Sequence, residues 1–278
     1  MSVWLPGAPC TLRGCVDPGT HHAAFVPAVP RLAAAGLLVL AGIVLLPFGR
    51  WIPDGLVRPW CRWLVRAAGV RVRIAGAAPP TGGLLLVANH ISWLDIPLLA
   101  AVRPARMLAK SEIRRWPVAG ALVARAGVLF IDRDRLRALP GTVATLAGIL
   151  RGGAAVAVFP EGSTWCGRAG GHFRRAVFQA ALDAGVPVQP VRIRYRDPRG
   201  GPATAPAFVG DDTLLASVWR VASARGVIAE IEVRPPVPPG RHTDRRALAY
   251  AAQWETVPDH VPDHASGQGR GVRHGHHE

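Results

Sequence analysis

The sequence predicts an α/β fold, a mixed sheet layered by helices, and two features of the sequence support it. Residues 84–87 and 155–159 form continuous apolar runs, which are typical of strands buried on both faces of a sheet. Amphipathic stretches of helical length, such as residues 136–151 and 173–184, alternate with runs of this kind. Half of the 278 residues are hydrophobic and 18% are charged, which is the composition of a folded protein.

The charge of the chain is strongly basic. There are 33 Lys and Arg residues against 18 Asp and Glu residues, a formal net charge of +15. Residues 1–49 and 257–278 are nearly neutral, so the excess lies between residues 50 and 256. A membrane surface and a phosphorylated small molecule are the anionic partners that this charge favours. Nucleic acid is not expected as a partner, because the sequence contains no motif of a nucleic-acid-binding fold.

Taken in order, the first element is an N-terminal arm and the second an apolar helix. Residues 1–31 are rich in Pro, Gly and His and predict an extended arm. Residues 32–48 carry no charge, and at about 1.5 Å per residue they span about 25 Å, slightly less than a hydrocarbon core of about 30 Å. This run predicts a membrane-associating helix, and a buried core helix is the alternative. A secretory signal peptide is not favoured, because the run begins too far into the chain.

Aromatic and basic residues follow the apolar run. They are Trp51, Trp60 and Trp63, interleaved with Arg58, Arg62 and Arg66. This mixture is typical of the interface between lipid headgroups and acyl chains, and the arginines, spaced four apart, share one helical face. Residues 32–69 are therefore assigned to a membrane-anchoring helical segment. The positive-inside bias then predicts that the following domain lies on the cytoplasmic face of the plasma membrane.

Residues 70–256 alternate between predicted strands and helices. The strands are expected in RVRIAG, GLLLVANH, ARMLAK, GVLFID, AAVAVFPEG, VPVQPVRIRY and IAEIEV. The helices are expected around residues 96–101, 117–125, 136–151, 173–184, 213–224 and 245–255. Residues 257–278 are polar and of low complexity, which predicts a disordered tail.

The cysteines do not predict a disulfide framework or a metal site. There are four, Cys10, Cys15, Cys61 and Cys166, and they are widely scattered, which is consistent with a reducing compartment. The first two are followed by histidines at positions 21 and 22, but this spacing matches no common zinc finger. No metal is therefore expected.

The segment NHISWLD, residues 89–95, is a candidate site. It follows a buried strand and precedes a helix, where open α/β sheets place their sites. On a continuous helix Asp95 would be rotated about 140° from His90, so the two side chains meet only if a turn separates them, and Ser92 as N-cap supplies one. The alternative is structural, with Asp95 only capping the helix and His90 only hydrogen-bonded at the strand end.

Three more blocks follow this segment along the chain. They are residues 127–133 (GVLFIDR), 158–164 (VFPEGST) and 186–191 (VPVQPV). Together with residues 89–95 they resemble the four motifs of the glycerolipid acyltransferases, in particular the 1-acylglycerol-3-phosphate (lysophosphatidic acid) acyltransferase family. The resemblance covers roughly residues 70–195. It implies a glycerolipid-acyltransferase-like fold and an acyltransferase domain over residues 70–256.

The resemblance implies a reaction and a role for each motif residue. A fatty acyl group would pass from acyl-CoA or acyl carrier protein, as co-substrate and without any cofactor, to the free hydroxyl of 1-acylglycerol-3-phosphate, giving phosphatidic acid. His90 would be the general base and Asp95 the residue that orients it. The loop formed by Glu161, Gly162 and Ser163 would present backbone N–H groups to the oxyanion of the tetrahedral intermediate.

The acceptor's phosphate would be bound by basic residues. Lys110 and Arg133 end or follow predicted strands and can converge on one edge of the sheet. Many family members have an arginine where this chain has Thr164, and Arg168 is the candidate replacement. The substitution leaves open an acceptor such as lyso-ornithine lipid. A non-catalytic module that binds anionic membranes is the alternative from a different functional class.

Overall fold

The structure is a computed structural model, and it describes residues 7–17, 25–110, 128–131 and 139–256. A seven-stranded sheet forms its centre, with the strand order β1-β7-β6-β2-β5-β3-β4. The strands are β1 (Arg71–Gly76), β2 (Leu84–Ala88), β3 (Arg106–Lys110), β4 (Leu129–Ile131), β5 (Ala155–Val158), β6 (Val188–Arg196) and β7 (Ile228–Val233). All seven predicted strands are therefore present.

Helices cover both faces of the sheet, and the first three helices of the chain precede its first strand. The helices are α1 (Leu12–Cys15), α2 (Phe25–Leu45), α3 (Asp54–Ala67), α4 (Asp95–Val102), α5 (Leu139–Arg151), α6 (Ala176–Ala184), α7 (Leu214–Ser223) and α8 (Arg245–Trp254). A 3₁₀ turn, Leu46–Trp51, joins α2 to α3. The helix expected at residues 117–125 and the tail at residues 257–278 lie outside the described residues.

The sheet is mixed, which confirms the predicted fold class. β2 pairs in parallel with β5 and with β6, whereas β6 and β7 are antiparallel. Every residue of β2 and β5 is buried, because each strand is sandwiched between helical layers. Successive residues of β2 face opposite layers: Leu86 packs in the cluster that contains α4, and Leu85 in the cluster that contains α5 and α6.

The parallel pairing determines where a site can form. The carboxyl ends of β2, β5 and β6 reach the same edge of the sheet. The loops at residues 89–94 and 159–173 leave the sheet at this edge, so residues far apart in sequence are brought together there.

The N-terminal helix is longer than the sequence predicts. α2 begins at Phe25, seven residues before Leu32, although Pro30 lies inside the helix and supplies no backbone N–H. Arg31 interrupts the apolar pattern, and its guanidinium donates to the carbonyls of Ala222 and Ala224 at the end of α7, at 2.7 Å each. The segment Val26–Gly49 is long and apolar enough to cross a membrane, with a mean hydropathy of 2.4. Ala28 is the only buried residue of that segment, and the others are exposed or half-buried, which contradicts the alternative of a core helix.

Residues 7–17 fold against the domain, where the sequence predicts an extended arm. Cys10 and Val16 are buried in the core cluster of β2 and α4. The N–H of Asp17 donates to the hydroxyl of Thr204 at 3.1 Å, and that hydroxyl donates back to the Asp17 carboxylate at 2.9 Å. Pro and Gly obscure the apolar pattern of this segment, and its partners lie almost 200 residues away in the sequence.

Candidate active site

The turn between β2 and α4 brings His90 and Asp95 together. Nδ1 of His90 lies 2.9 Å from Oδ2 of Asp95. The same carboxylate oxygen accepts hydrogen bonds from the backbone N–H groups of Ile91, at 2.6 Å, and Ser92, at 2.8 Å. Asp95 is the first residue of α4 and is completely buried. A turn thus separates the two side chains as predicted, but the N-cap residue of α4 is Leu94 and not Ser92, whose hydroxyl accepts the N–H of Leu94 at 3.3 Å. Asp95 both organises this turn and orients the histidine.

Tyr195 is a member of this site that sequence reasoning missed. Its hydroxyl donates to Oδ1 of Asp95 at 2.6 Å. Complete burial, together with the adjacent Asp95 charge, raises the pKa of Tyr195 well above its usual value, so the phenol keeps its proton and remains a donor. Tyr195 lies on β6, one hundred residues from Asp95, and only the pairing of β6 with β2 brings them together.

The imidazole of His90 is held on several sides. Its ring stacks on Phe159, with ring centroids 3.9 Å apart and planes 9° from parallel. Its side chain is 19% exposed, toward the cavity described below. Because Nδ1 is bonded to Asp95, Nε2 is the ring nitrogen available to a substrate. The next residue back, Asn89, bonds the N–H and the carbonyl of Ile193 through its side-chain amide, which fixes the end of β2 to β6.

Glu161 is buried and braces the site. Its two carboxylate oxygens accept the N–H groups of His90, at 2.7 Å, and of Gly171, at 2.9 Å. Burial raises the pKa of Glu161 to about 7, although these two hydrogen bonds lower it. The side chain therefore ties the loop after β2 to the loop after β5.

The rest of that motif forms a tight turn. Gly162 has a positive φ of 78°, and its N–H donates to the carbonyl of Phe159 at 3.1 Å. Ser163 follows and is half-buried. The oxyanion role of this loop stays a prediction. Since the N–H of Gly162 is engaged in the turn, the N–H of Ser163 is the better candidate donor.

A cavity of about 660 Å³ opens beside His90 and Glu161. The loop at residues 165–171 forms one wall, and β6 contributes another. Its basic residues are Arg168, Arg192, Arg194 and Arg196. The cavity is large enough for a headgroup and part of an acyl chain, and it joins the imidazole to a strongly basic surface.

The arginines of β6 were not predicted as site residues. Arg192 is only 2% exposed and lies 3.9 Å from the carboxylate of Glu232 on β7, while Arg194 lies 3.4 Å from it. Arg196 pairs with Glu230 at 3.5 Å. The alternating sequence VRIRYR places these arginines on one face of the strand, and from this pattern they could have been predicted as site residues.

The predicted phosphate-binding residues have different outcomes. The guanidinium of Arg168 lines the cavity but is paired with Asp17 at 2.9 Å. The hydroxyl of Thr164 donates to the carbonyl of Phe208. The side chain of Lys110 and the whole of Arg133 lie outside the described residues. The predicted convergence of Lys110 and Arg133 on a phosphate therefore stays a prediction.

The chain is similar to known acyltransferases. A family model described as Acyltransferase matches residues 59–194. The lyso-ornithine lipid O-acyltransferase of Pseudomonas aeruginosa is 41% identical, over 87% of this chain and 88% of that protein. The 1-acyl-sn-glycerol-3-phosphate acyltransferase of Neisseria meningitidis is 34% identical, over 67% of this chain and 73% of that protein.

A solved structure shares the fold. The crystal structure of the 1-acyl-sn-glycerophosphate (LPA) acyltransferase PlsC from Thermotoga maritima matches with a TM-score of 0.61, over 83% of this chain and 93% of that chain. The sequence identity is 18%, so this likeness concerns the fold alone.

Proposed function

This chain belongs to the acyltransferase family and is an acyltransferase, and from that premise we propose that it esterifies the free hydroxyl of a lysolipid with the acyl group of a thioester. The hydrogen-bonded pair of His90 and Asp95 at the mouth of the basic cavity carries the proposal. Membrane binding alone would not require a buried carboxylate that orients an imidazole.

The proposed mechanism needs a base but no nucleophile of the protein. Nε2 of His90 takes the proton of the acceptor hydroxyl while the hydroxyl oxygen attacks the thioester carbonyl. Asp95 accepts the Nδ1–H, which fixes the tautomer and stabilises the imidazolium. The tetrahedral intermediate then collapses, the C–S bond breaks, and the leaving thiolate receives the proton from Nε2. The products are an ester and a free thiol.

The remaining parts of the proposal concern the donor, the oxyanion and the membrane. The donor is acyl-CoA or acyl carrier protein, and the mechanism requires no cofactor. The N–H of Ser163 is the proposed donor to the oxyanion. The unburied apolar surface of α2 and the basic face of α3 favour attachment at the cytoplasmic face of the plasma membrane.

We favour lyso-ornithine lipid as the acceptor. Two of the positions expected to bind a phosphate offer no available guanidinium. Residue 164 is a threonine whose hydroxyl donates to a backbone carbonyl, and Arg168 is paired with Asp17. An ornithine headgroup carries a carboxylate and an ammonium group, which match the alternating Arg and Glu residues of β6 and β7. The relative from Pseudomonas aeruginosa, which is named for this acceptor, also matches more of the chain than the one from Neisseria meningitidis. The similarity to the latter makes 1-acylglycerol-3-phosphate the second candidate.

An acceptor panel tests the proposal. One labelled acyl-CoA is offered with lyso-ornithine lipid, with 1-acylglycerol-3-phosphate and with neutral monoacylglycerol, and esterified product is measured. We expect the highest kcat/KM with lyso-ornithine lipid. We expect Thr164→Arg to improve the use of the phosphate acceptor relative to the other two. A higher kcat/KM of the wild type with 1-acylglycerol-3-phosphate would reverse the order of the two candidates.

The same assay tests the base. Removal of a general base costs roughly 10²- to 10⁴-fold in rate, so His90→Ala should lose at least that much with every acceptor. His172→Ala is the matched control, because His172 is exposed and belongs to the loop that follows the cavity wall. A His90→Ala enzyme that kept a tenth of the wild-type rate would contradict the mechanism.

A further inference from the structure

Three of the four cysteines of the chain converge in space. The Sγ atoms of Cys10, Cys15 and Cys166 all lie within 4.8 Å of one another. Cys10 and Cys166 are buried and Cys15 is partly buried. Two of them flank or end α1, and the third belongs to the loop after β5, so the fold brings together thiols from two distant segments.

We propose that these three thiols, as thiolates, bind one Zn²⁺ ion. Thiolate sulfur is the soft ligand that Zn²⁺ accepts, at about 2.3 Å in tetrahedral sites, which places the sulfurs about 3.8 Å apart. The observed cluster therefore needs to contract by about 1 Å at most. A water molecule takes the fourth position. The sequence did not predict this site, because the spacing of Cys10 and Cys15 matches no zinc finger and Cys166 is supplied only by the fold.

The metal would fasten the N-terminal segment to a wall of the active-site cavity. Cys166 lines that cavity, and the N–H of the preceding residue, Trp165, donates to the carbonyl of His90 at 2.7 Å. The ion pair of Asp17 with Arg168 joins the same two segments. The role is therefore structural, with residues 7–17 held against residues 165–168, and it goes beyond the acyl transfer reaction.

Cobalt titration of the full-length chain tests the site. The protein is purified in detergent with a phosphine reductant, stripped with a chelator, and titrated with Co²⁺ alone. We expect one Co²⁺ per chain, thiolate-to-cobalt charge-transfer absorption in the near ultraviolet, tetrahedral d–d bands, and displacement by Zn²⁺. Cys10→Ser, Cys15→Ser and Cys166→Ser should each abolish or greatly weaken binding. Cys61→Ser is the matched control, because Cys61 lies on α3 outside the cluster, and it should titrate like the wild type.

Proteolysis gives a second measurement on the wild type, which does not depend on the folding of any variant. Arg13, in α1, and Arg199, in the turn after β6, are both exposed trypsin sites. Zn²⁺ should slow cleavage after Arg13 and leave cleavage after Arg199 unchanged.

Three results would overturn the proposal. One is a wild-type protein with no saturable charge-transfer band, which would make the thiols ordinary core residues. Another is a band that persists at full strength in all three serine variants. The third is thiol counting that finds two of the three cysteines oxidised to a disulfide in the freshly isolated protein, which would identify a redox pair. Each outcome leaves the acyl transfer assay unaffected as evidence on the proposed function.

Discussion

At the scale of single residues, the site depends on how a buried charge is satisfied. An unpaired buried carboxylate costs several kcal/mol, and Asp95 offsets that cost with four contacts, from two backbone N–H groups, from His90 and from Tyr195. The capping and the catalytic interpretations of Asp95 are therefore compatible. The N–H of Ser92 donates to Asp95, as in a capping box, while the other contacts hold the imidazole.

We expect Tyr195→Phe to lower kcat. The substitution removes a hydrogen bond to a charged group, worth about 1.5 to 3 kcal/mol, and leaves Oδ1 of Asp95 without that donor. The resulting loss is roughly 10- to 150-fold if the whole term acts on the transition state. Tyr195 is a positioning residue, so KM for both substrates should change little.

The chain has only one other tyrosine, and it is the control. Tyr250 lies on α8 and is 69% exposed. Tyr250→Phe should match the wild type. If Tyr195→Phe lowered the melting temperature in detergent together with kcat, and raised KM for both substrates, the substitution would have caused a general packing defect instead.

At the scale of elements, the site is a junction of two loops, and Glu161 braces them. Its pKa of about 7 in the folded protein lies above the ordinary value of 4.5. Between these values the folded state holds a proton that the unfolded state has lost. The contribution of Glu161 to stability is therefore largest below about pH 4.5 and declines as pH rises toward 7.

We expect Glu161→Gln to remove this pH dependence. Relative to the melting temperature of the variant, that of the wild type should fall as pH rises from about 4.5 to 7. Above pH 7 the difference should stay constant. Asp211→Asn, at an exposed position outside the site, controls for the loss of one negative charge. A difference that stayed constant across this range would mean that Glu161 is ionised throughout.

At the scale of the whole molecule, sequence patterns predicted what depends on local order. The alternation of apolar runs identified the strands, and the turn residues between β2 and α4 indicated that His90 and Asp95 could meet. The contact of Tyr195 with Asp95 and the convergence of Cys166 with Cys10 depend instead on which strands and loops are neighbours. Periodicity within one strand carries no information on strand order, so neither contact could be predicted from it.

The large unburied apolar surface is also a property of the whole molecule, and it leads to a prediction about membrane attachment. Leu37, Leu40 and Val44 follow a helical spacing on α2 and are 69%, 57% and 63% exposed. Arginine costs about 2.5 to 3.5 kcal/mol at the centre of a membrane helix. We therefore expect the triple variant Leu37→Arg, Leu40→Arg, Val44→Arg to move from the membrane fraction to the soluble fraction.

Flotation with anionic liposomes measures this, and Tyr250→Arg, which adds a charge to an exposed aromatic position on α8, should still float. The triple variant should keep its activity on short-chain, water-soluble substrates, because Arg31 still fixes the start of α2 to α7 and the catalytic residues are untouched.

Release of the wild type by high salt alone would mean that basic residues attach the enzyme electrostatically, since salt screens charge but not apolar insertion. Retention of the triple variant through a carbonate wash would mean that apolar residues outside this face of α2 hold the protein in the bilayer.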